Sequence, residues 1–138
     1  NLATAKKYFE LFATEDIEAQ KALICPGVTY HSPFIGSEPA KFDGLVADNK
    51  AWQDNFDDIT YKETVWLPGT DSLGVFDGSV RTYGTWTAQN TQTGNVVSVN
   101  AYHYFDFNDA NQIHIQGDYF DASGVMAAAM KAPEASEE

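Results

Sequence analysis

Apolar residues recur every three to four positions in the first half of the chain and every second position through most of the rest. Leu2, Ala5, Phe9 and Phe12 form one stripe of a helix over 2–13, with Tyr8 at its edge. Thr14, followed by Glu15 and Asp16, is a capping signal and predicts a second helix over 15–23, which Pro26-Gly27 stops. Val28 to Ser32 reads as a short strand ended by Pro33, after which Gly36, Ser37 and Pro39 mark a loop. Asp43 can cap a third helix in which Leu45, Asn49, Trp52 and Phe56 share a stripe. Asp54, Asp57 and Asp58 oppose the dipole at its end, so that end is expected to fray or find a cation.

From Ile59 the period becomes two. Strands are predicted over 59–67, 79–90, 96–107 and 112–121, with turn signals at Pro68-Gly69, Asp77-Gly78, Thr93-Gly94 and Asn108 to Asn111. Helices followed by strands imply an α+β fold, with three helices of the N-terminal half packed on a curved, mainly antiparallel sheet. Residues 1–131 are read as one domain, and Ala132 to Glu138 as a small, acidic, frayed tail.

The last hairpin carries the candidate chemistry. A four-residue turn at 108–111 sets Phe107 opposite Gln112, His103 opposite Gln116 and Ala101 opposite Asp118. His103 and Asp118 then share a face as diagonal neighbours, about 7 Å apart at the backbone. A turn longer or shorter by one residue separates them onto opposite faces. The face away from His103 would gather Tyr102, Tyr104, Ile113, Ile115 and Tyr119, a surface that suits a second subunit.

Composition narrows the partners. The net charge of −12, with eight Lys and Arg, disfavours nucleic acid and anionic membrane surfaces. With no apolar run of membrane-spanning length and no basic leader, the default location is cytoplasmic. The single cysteine, Cys25, has no partner for an internal disulfide and reads as a small buried hydrophobe at a helix end. Aromatic residues make up 14% of the chain, enough to line a cavity as well as fill a core. No phosphate loop, dinucleotide fingerprint, Ser-His-Asp signature or zinc motif is present, so neither cofactor nor metal is expected.

Several local motifs together carry a resemblance. Arg81-Thr82-Tyr83-Gly84-Thr85-Trp86, followed by Thr93-Gly94, and Gly117-Asp118-Tyr119-Phe120-Asp121 resemble the SnoaL-like (polyketide cyclase-like) branch of the nuclear-transport-factor-2-like (NTF2-like) superfamily. That resemblance implies a cone-shaped α+β barrel of the cystatin/NTF2-like kind, a pocket at its open end, and a homodimer. It places Asp118 on the cyclases' acid/base aspartate and His103 near their histidine. Tyr83 stands where epoxide hydrolases of the superfamily carry a second aspartate, and Ser32 where ketosteroid isomerases carry their base; both departures argue against those reactions.

The candidate catalytic residues are therefore Asp118 and His103, an acid/base pair able to deprotonate carbon next to a carbonyl or protonate a leaving oxygen. Tyr8, His31 and Gln116 are candidate lining residues, and His114 is expected exposed near the turn. Trp52, Phe56, Trp86, Phe105 and Phe120 serve either as plain core or as ligand-stacking walls. Arg81 and Tyr83 face the pocket if the turn at Thr93-Gly94 has three residues; a two- or four-residue turn points Gly84, Trp86 and Ala88 inward instead. The function expected is cofactor-free cyclase or isomerase chemistry on an apolar, oxygenated small molecule. The alternative is a non-catalytic ligand-binding or dimerisation domain.

Overall fold

A computed structural model describes residues 1–132; most of the tail expected to fray, residues 133–138, lies outside the described residues. The elements run α1 (Leu2–Ala13), α2 (Ile17–Lys21), β1 (Ile24–His31), α3 (Phe42–Asn55), β2 (Phe56–Thr70), β3 (Phe76–Asn90), β4 (Val96–Phe107), β5 (Ile113–Tyr119) and α4 (Ala122–Met130). The sheet order is β1-β5-β4-β3-β2, antiparallel throughout except where β1 runs parallel to β5. Among the described residues no helix is long and apolar enough to cross a membrane.

The α1 stripe buries Ala5, Tyr8 and Phe9 against the sheet, where Phe9 meets Trp86, Tyr61 and Phe105 edge-on. In α3 the buried face is Leu45, Asn49 and Gln53, so Trp52 sits at its margin. The cap of α2 is Asp16, not Thr14: its carboxylate accepts from the Ala19 amide at 3.1 Å, and Glu15 adopts a positive φ before it. Cys25 is half-exposed on β1, not buried at a helix end, because the strand begins four residues earlier than Val28 and bulges past Pro26-Gly27. Gly84 sits where Tyr61 crosses the strand, and a Cβ there would lie 2.7 Å from the Lys62 carbonyl oxygen.

A fourth helix, α4, was not expected. The strand expected to run to Asp121 ends at Tyr119, and the Asp121 carboxylate accepts from Gly124 N at 2.9 Å and starts a helix of mostly small residues. Asn95 Nδ2 donates to the carbonyls of Ala128, Ala129 and Lys131, which fastens the helix end to the β3–β4 turn. Val125 and Ala129 bury against Phe56, Ile59 and Val97 in a second core cluster, and Ala122 is buried as well.

The β4–β5 hairpin departs from the expected register twice, and the departures offset each other. Its loop holds Asn108 to Gln112, one residue more than expected, and pairs Phe107 with Ile113; Asn111 takes a positive φ inside it. A bulge at His114 then adds a second residue, so that Asp106 pairs with Ile115, Phe105 with Gln116 and His103 with Asp118. The total slip is two, which restores parity. His103 and Asp118 thereby become direct partners instead of diagonal ones. The longer loop, by pairing Ile113 with Phe107, turns Ile113 into the core, fully buried, where the expected register had it on the outer face. His114 itself is exposed.

Deleting His114 closes the bulge and leaves Phe107–Ile113, Asp106–Ile115 and His103–Asp118 as pairs of one regular ladder, whereas deleting Gly117 turns either Asp118 or Gln116 to the outer face. Urea denaturation should show the Gly117 deletion losing several kcal/mol and the His114 deletion staying within about 1 kcal/mol of the parent. Equal losses for the two deletions would contradict this register.

Candidate functional site

The concave face of the sheet, α1, α3 and α4 line a half-open cavity of about 90 Å³, several times the room one water needs. Phe9, Phe12, Ile59, Trp86, Val97 and Val125 belong to its apolar wall. Asp48, Asn49, His103, Gln116 and Asp118 supply its polar groups. Among the described residues no lysine or arginine lines it, and no three His, Cys, Asp or Glu side chains converge as a metal site would require.

Eight of the expected site residues line this cavity: Tyr8, Trp52, Phe56, Trp86, His103, Gln116, Asp118 and Phe120. Four do not. The β3–β4 turn has four residues, 91–94, closed by the Asn90 amide on the Asn95 carbonyl at 2.8 Å. Trp86 and Ala88 therefore face in, while Arg81 and Tyr83 face out. Arg81 lies over the Tyr104 ring at 5.6 Å and donates to the Thr70 carbonyl; Tyr83 packs at a tilt against Tyr102. His31 is exposed at the end of β1, because alternation there turns its neighbour Tyr30 inward. Phe105 is fully buried in the core behind the cavity, against Tyr8 and Phe9.

At the centre is Asp118. Its Oδ1 lies 2.7 Å from His103 Nδ1, its Oδ2 receives the Tyr30 hydroxyl at 2.8 Å, and Gln116 Nε2 reaches both oxygens at 3.2 Å. The Trp86 indole N–H, which can only donate, points at His103 Nε2 at 2.8 Å. Nε2 is thus an acceptor, and the ring proton sits on Nδ1, aimed at the carboxylate. Both nitrogens of His103 are engaged. The histidine fixes Asp118; it has no free nitrogen for a ligand.

Two residues of this site were missed. Tyr30 hides in the unremarkable strand Val28-Thr29-Tyr30, and only the pairing of β1 with β5 brings it beside Asp118. Asp48 precedes Asn49 on α3, off the apolar stripe, and no spacing or motif singles it out. Its Oδ2 lies 3.0 Å from the Tyr30 hydroxyl. Burial pushes the Asp48 carboxyl above the ordinary carboxylate value, and the nearby Asp118 charge adds to the rise. Burial likewise pushes up the phenols of Tyr30 and Tyr8, which stay protonated. Asn49 Nδ2 donates to the Tyr8 oxygen and holds that ring at the cavity wall.

A carboxyl that is harder to ionise in the folded state penalises folding once it must ionise. Below about pH 4 both folded and unfolded chains carry the Asp48 proton, and no penalty exists. As pH rises through the folded-state value, the unfolded chain binds fewer protons and stability falls. Thermal melts over about pH 4 to 8 should show Asp48→Asn losing less stability with rising pH than the parent. Parallel pH profiles for the two proteins would remove Asp48 as a perturbed group.

No protein-family profile matches the chain, and no curated protein matches it. Solved structures do. A candidate isomerase from Bacillus subtilis superposes with a TM-score of 0.76 at 14% identity, over 92% of this chain and 90% of that one. IdmH, a candidate polyketide cyclase from Streptomyces antibioticus, gives 0.73 at 18% identity, over 91% and 95%. An NTF2-like protein of unknown function from Burkholderia pseudomallei gives 0.73 at 13% identity, over 94% and 97%. Identities this low speak to architecture alone, and on that evidence the chain has the NTF2-like α+β fold.

Proposed function

We propose that the cavity binds a small, largely apolar, oxygenated molecule and that Asp118 moves a proton on it, in cofactor-free chemistry of the cyclase or isomerase type. The observation that carries this reading is Asp118 itself, a carboxylate held by His103, Tyr30 and Gln116 at the polar end of an otherwise aromatic and aliphatic cavity. Aromatic walls on the inner side of this half-open cavity lower the local polarity and strengthen the charge interactions there. A carboxylate fixed there is suited to take a proton from carbon next to a carbonyl, because its orientation needs no rearrangement during the step. His103 is a positioning residue in this scheme. The likeness in fold to a candidate isomerase and a candidate cyclase supports the reaction class without naming a substrate.

The absence of a lining cation among the described residues, together with two carboxylates, disfavours an anionic substrate. A neutral ketone fits better. The outer face, where the tilted rings of Tyr83, Tyr102 and Tyr119 pack in a row and two of the three are about half exposed, is proposed as the surface that meets a second copy of the chain. Sedimentation should then give twice the mass of one chain, and Tyr102→Glu should halve it; a parent that sediments as a single chain contradicts the dimer.

The proton-transfer reading is tested with 2-tetralone in deuterated water, following loss of its α-hydrogens by NMR. The protein should exchange them faster than buffer, and Asp118→Asn should reduce that rate by about a hundredfold or more. His103→Gln, which keeps a donor near Asp118, should retain more activity than His103→Phe. Undiminished exchange by Asp118→Asn would remove Asp118 as the base.

A further inference from the structure

Tyr30 stands between two carboxyl groups and has one proton to give. Its oxygen lies 2.8 Å from Asp118 Oδ2 and 3.0 Å from Asp48 Oδ2. A phenol can donate to one of them only, so the other contact needs a proton supplied by a carboxyl. Asp118 already receives His103 and Gln116 besides Tyr30. Asp48 has fewer donors, the Trp52 indole beside it and Tyr30. The hydrogen bonds therefore assign the extra proton to Asp48, which donates to the Tyr30 oxygen while Tyr30 donates to Asp118.

We propose that Asp48, Tyr30 and Asp118 form a proton relay in which Asp48 is a second acid that serves the cavity and Tyr30 resets the site after each transfer. This rests on the proton-transfer reading of the cavity. Both carboxyls line it, so a bound ketone can meet one with its α-carbon and the other with its oxygen. Asp118 takes the α-proton; the C–H electron pair becomes the C=C bond, and the carbonyl π pair moves to oxygen, which takes the Asp48 proton. Asp118 then passes its proton to the Tyr30 oxygen as Tyr30 passes its own to Asp48. The product is the enol, an isomer of the substrate, and both carboxyl groups return to their starting states through Tyr30. The substrate class this implies is an uncharged, enolisable ketone or 1,3-dicarbonyl with an apolar body.

The groups that face Asp48 come from several elements: Tyr30 on β1, Asp118 on β5 with His103 on β4 behind it, Tyr8 on α1, and Trp52 on its own helix. Lys50, the nearest lysine on that helix in sequence, pairs with Asp54 at the surface.

The relay is tested without any substrate, by carbon-13 NMR of the full chain labelled at the aspartate carboxyl carbons. The Asp48 signal, assigned by its loss in Asp48→Asn, should titrate above the ordinary carboxylate range. Its midpoint should fall in Asp118→Asn, where the neighbouring charge is gone. Tyr30→Phe, which keeps the ring in the core, is decisive by sign. If protonated Asp48 donates to Tyr30, losing that acceptor lowers the midpoint by about half a pH unit or more. If Tyr30 instead donates to an ionised Asp48, the midpoint rises, and the relay is overturned; an unmoved midpoint overturns it as well. The two readings fail separately: a wrong sign leaves Asp118-dependent exchange of 2-tetralone standing, while absent exchange with the expected midpoints removes the reaction and leaves the proton arrangement.

Discussion

A carboxylate can stay inside a cage of aromatic rings only where donors replace the water it has lost. Asp118 meets that condition from three strands: His103 on β4, Tyr30 on β1, and Gln116 two residues before it on β5. Each donor depends on a separate feature of the fold. The first needs the bulged antiparallel register, the second the parallel β1–β5 pairing, and the third the simple alternation of a strand. Loss of any one leaves a buried charge underserved, so the architecture of the sheet and the state of this one group are tied together.

The surrounding rings complete the arrangement. Trp86 both walls the cavity and occupies the far nitrogen of His103, so an aromatic residue that looks like packing also sets a tautomer. Phe9 packs edge-on against His103 from α1 and closes the other side. A histidine braced in this way has little rotational freedom left, which is what positioning a base requires.

How much of this the sequence could tell depended on the range of the interaction. The α1 stripe, the third helix and the run of strands follow from periodicity, which is local, and all were legible. The shared face of His103 and Asp118 was reached through a hairpin whose loop is one residue longer than expected, and only the unforeseen bulge at His114 preserved it. Nothing in the alternation of Gln112 to Gln116 announces which residue will be extruded. Arg81 and Tyr83 turned on a loop length the sequence left open, and the four-residue turn settled them outward. Tyr30 and Asp48 were illegible for a different reason: both lie far from Asp118 in the chain, and Tyr30 reaches it only through a strand pairing that spans most of the chain's length. The helix α4 is the one omission that local signals could have prevented, since Asp121 before a run of alanines is a capping signal.

The bulge at His114 also marks where this hairpin can change over time. A residue gained or lost in the loop or at the bulge alters only their length and leaves Asp118 opposite His103, because none of those residues is paired. Within Ile115 to Asp118 there is no such slack, and one residue more or less turns Gln116 or Asp118 to the other face. Length variation among descendants of this chain should therefore gather before Ile115 and spare the four residues from there to Asp118.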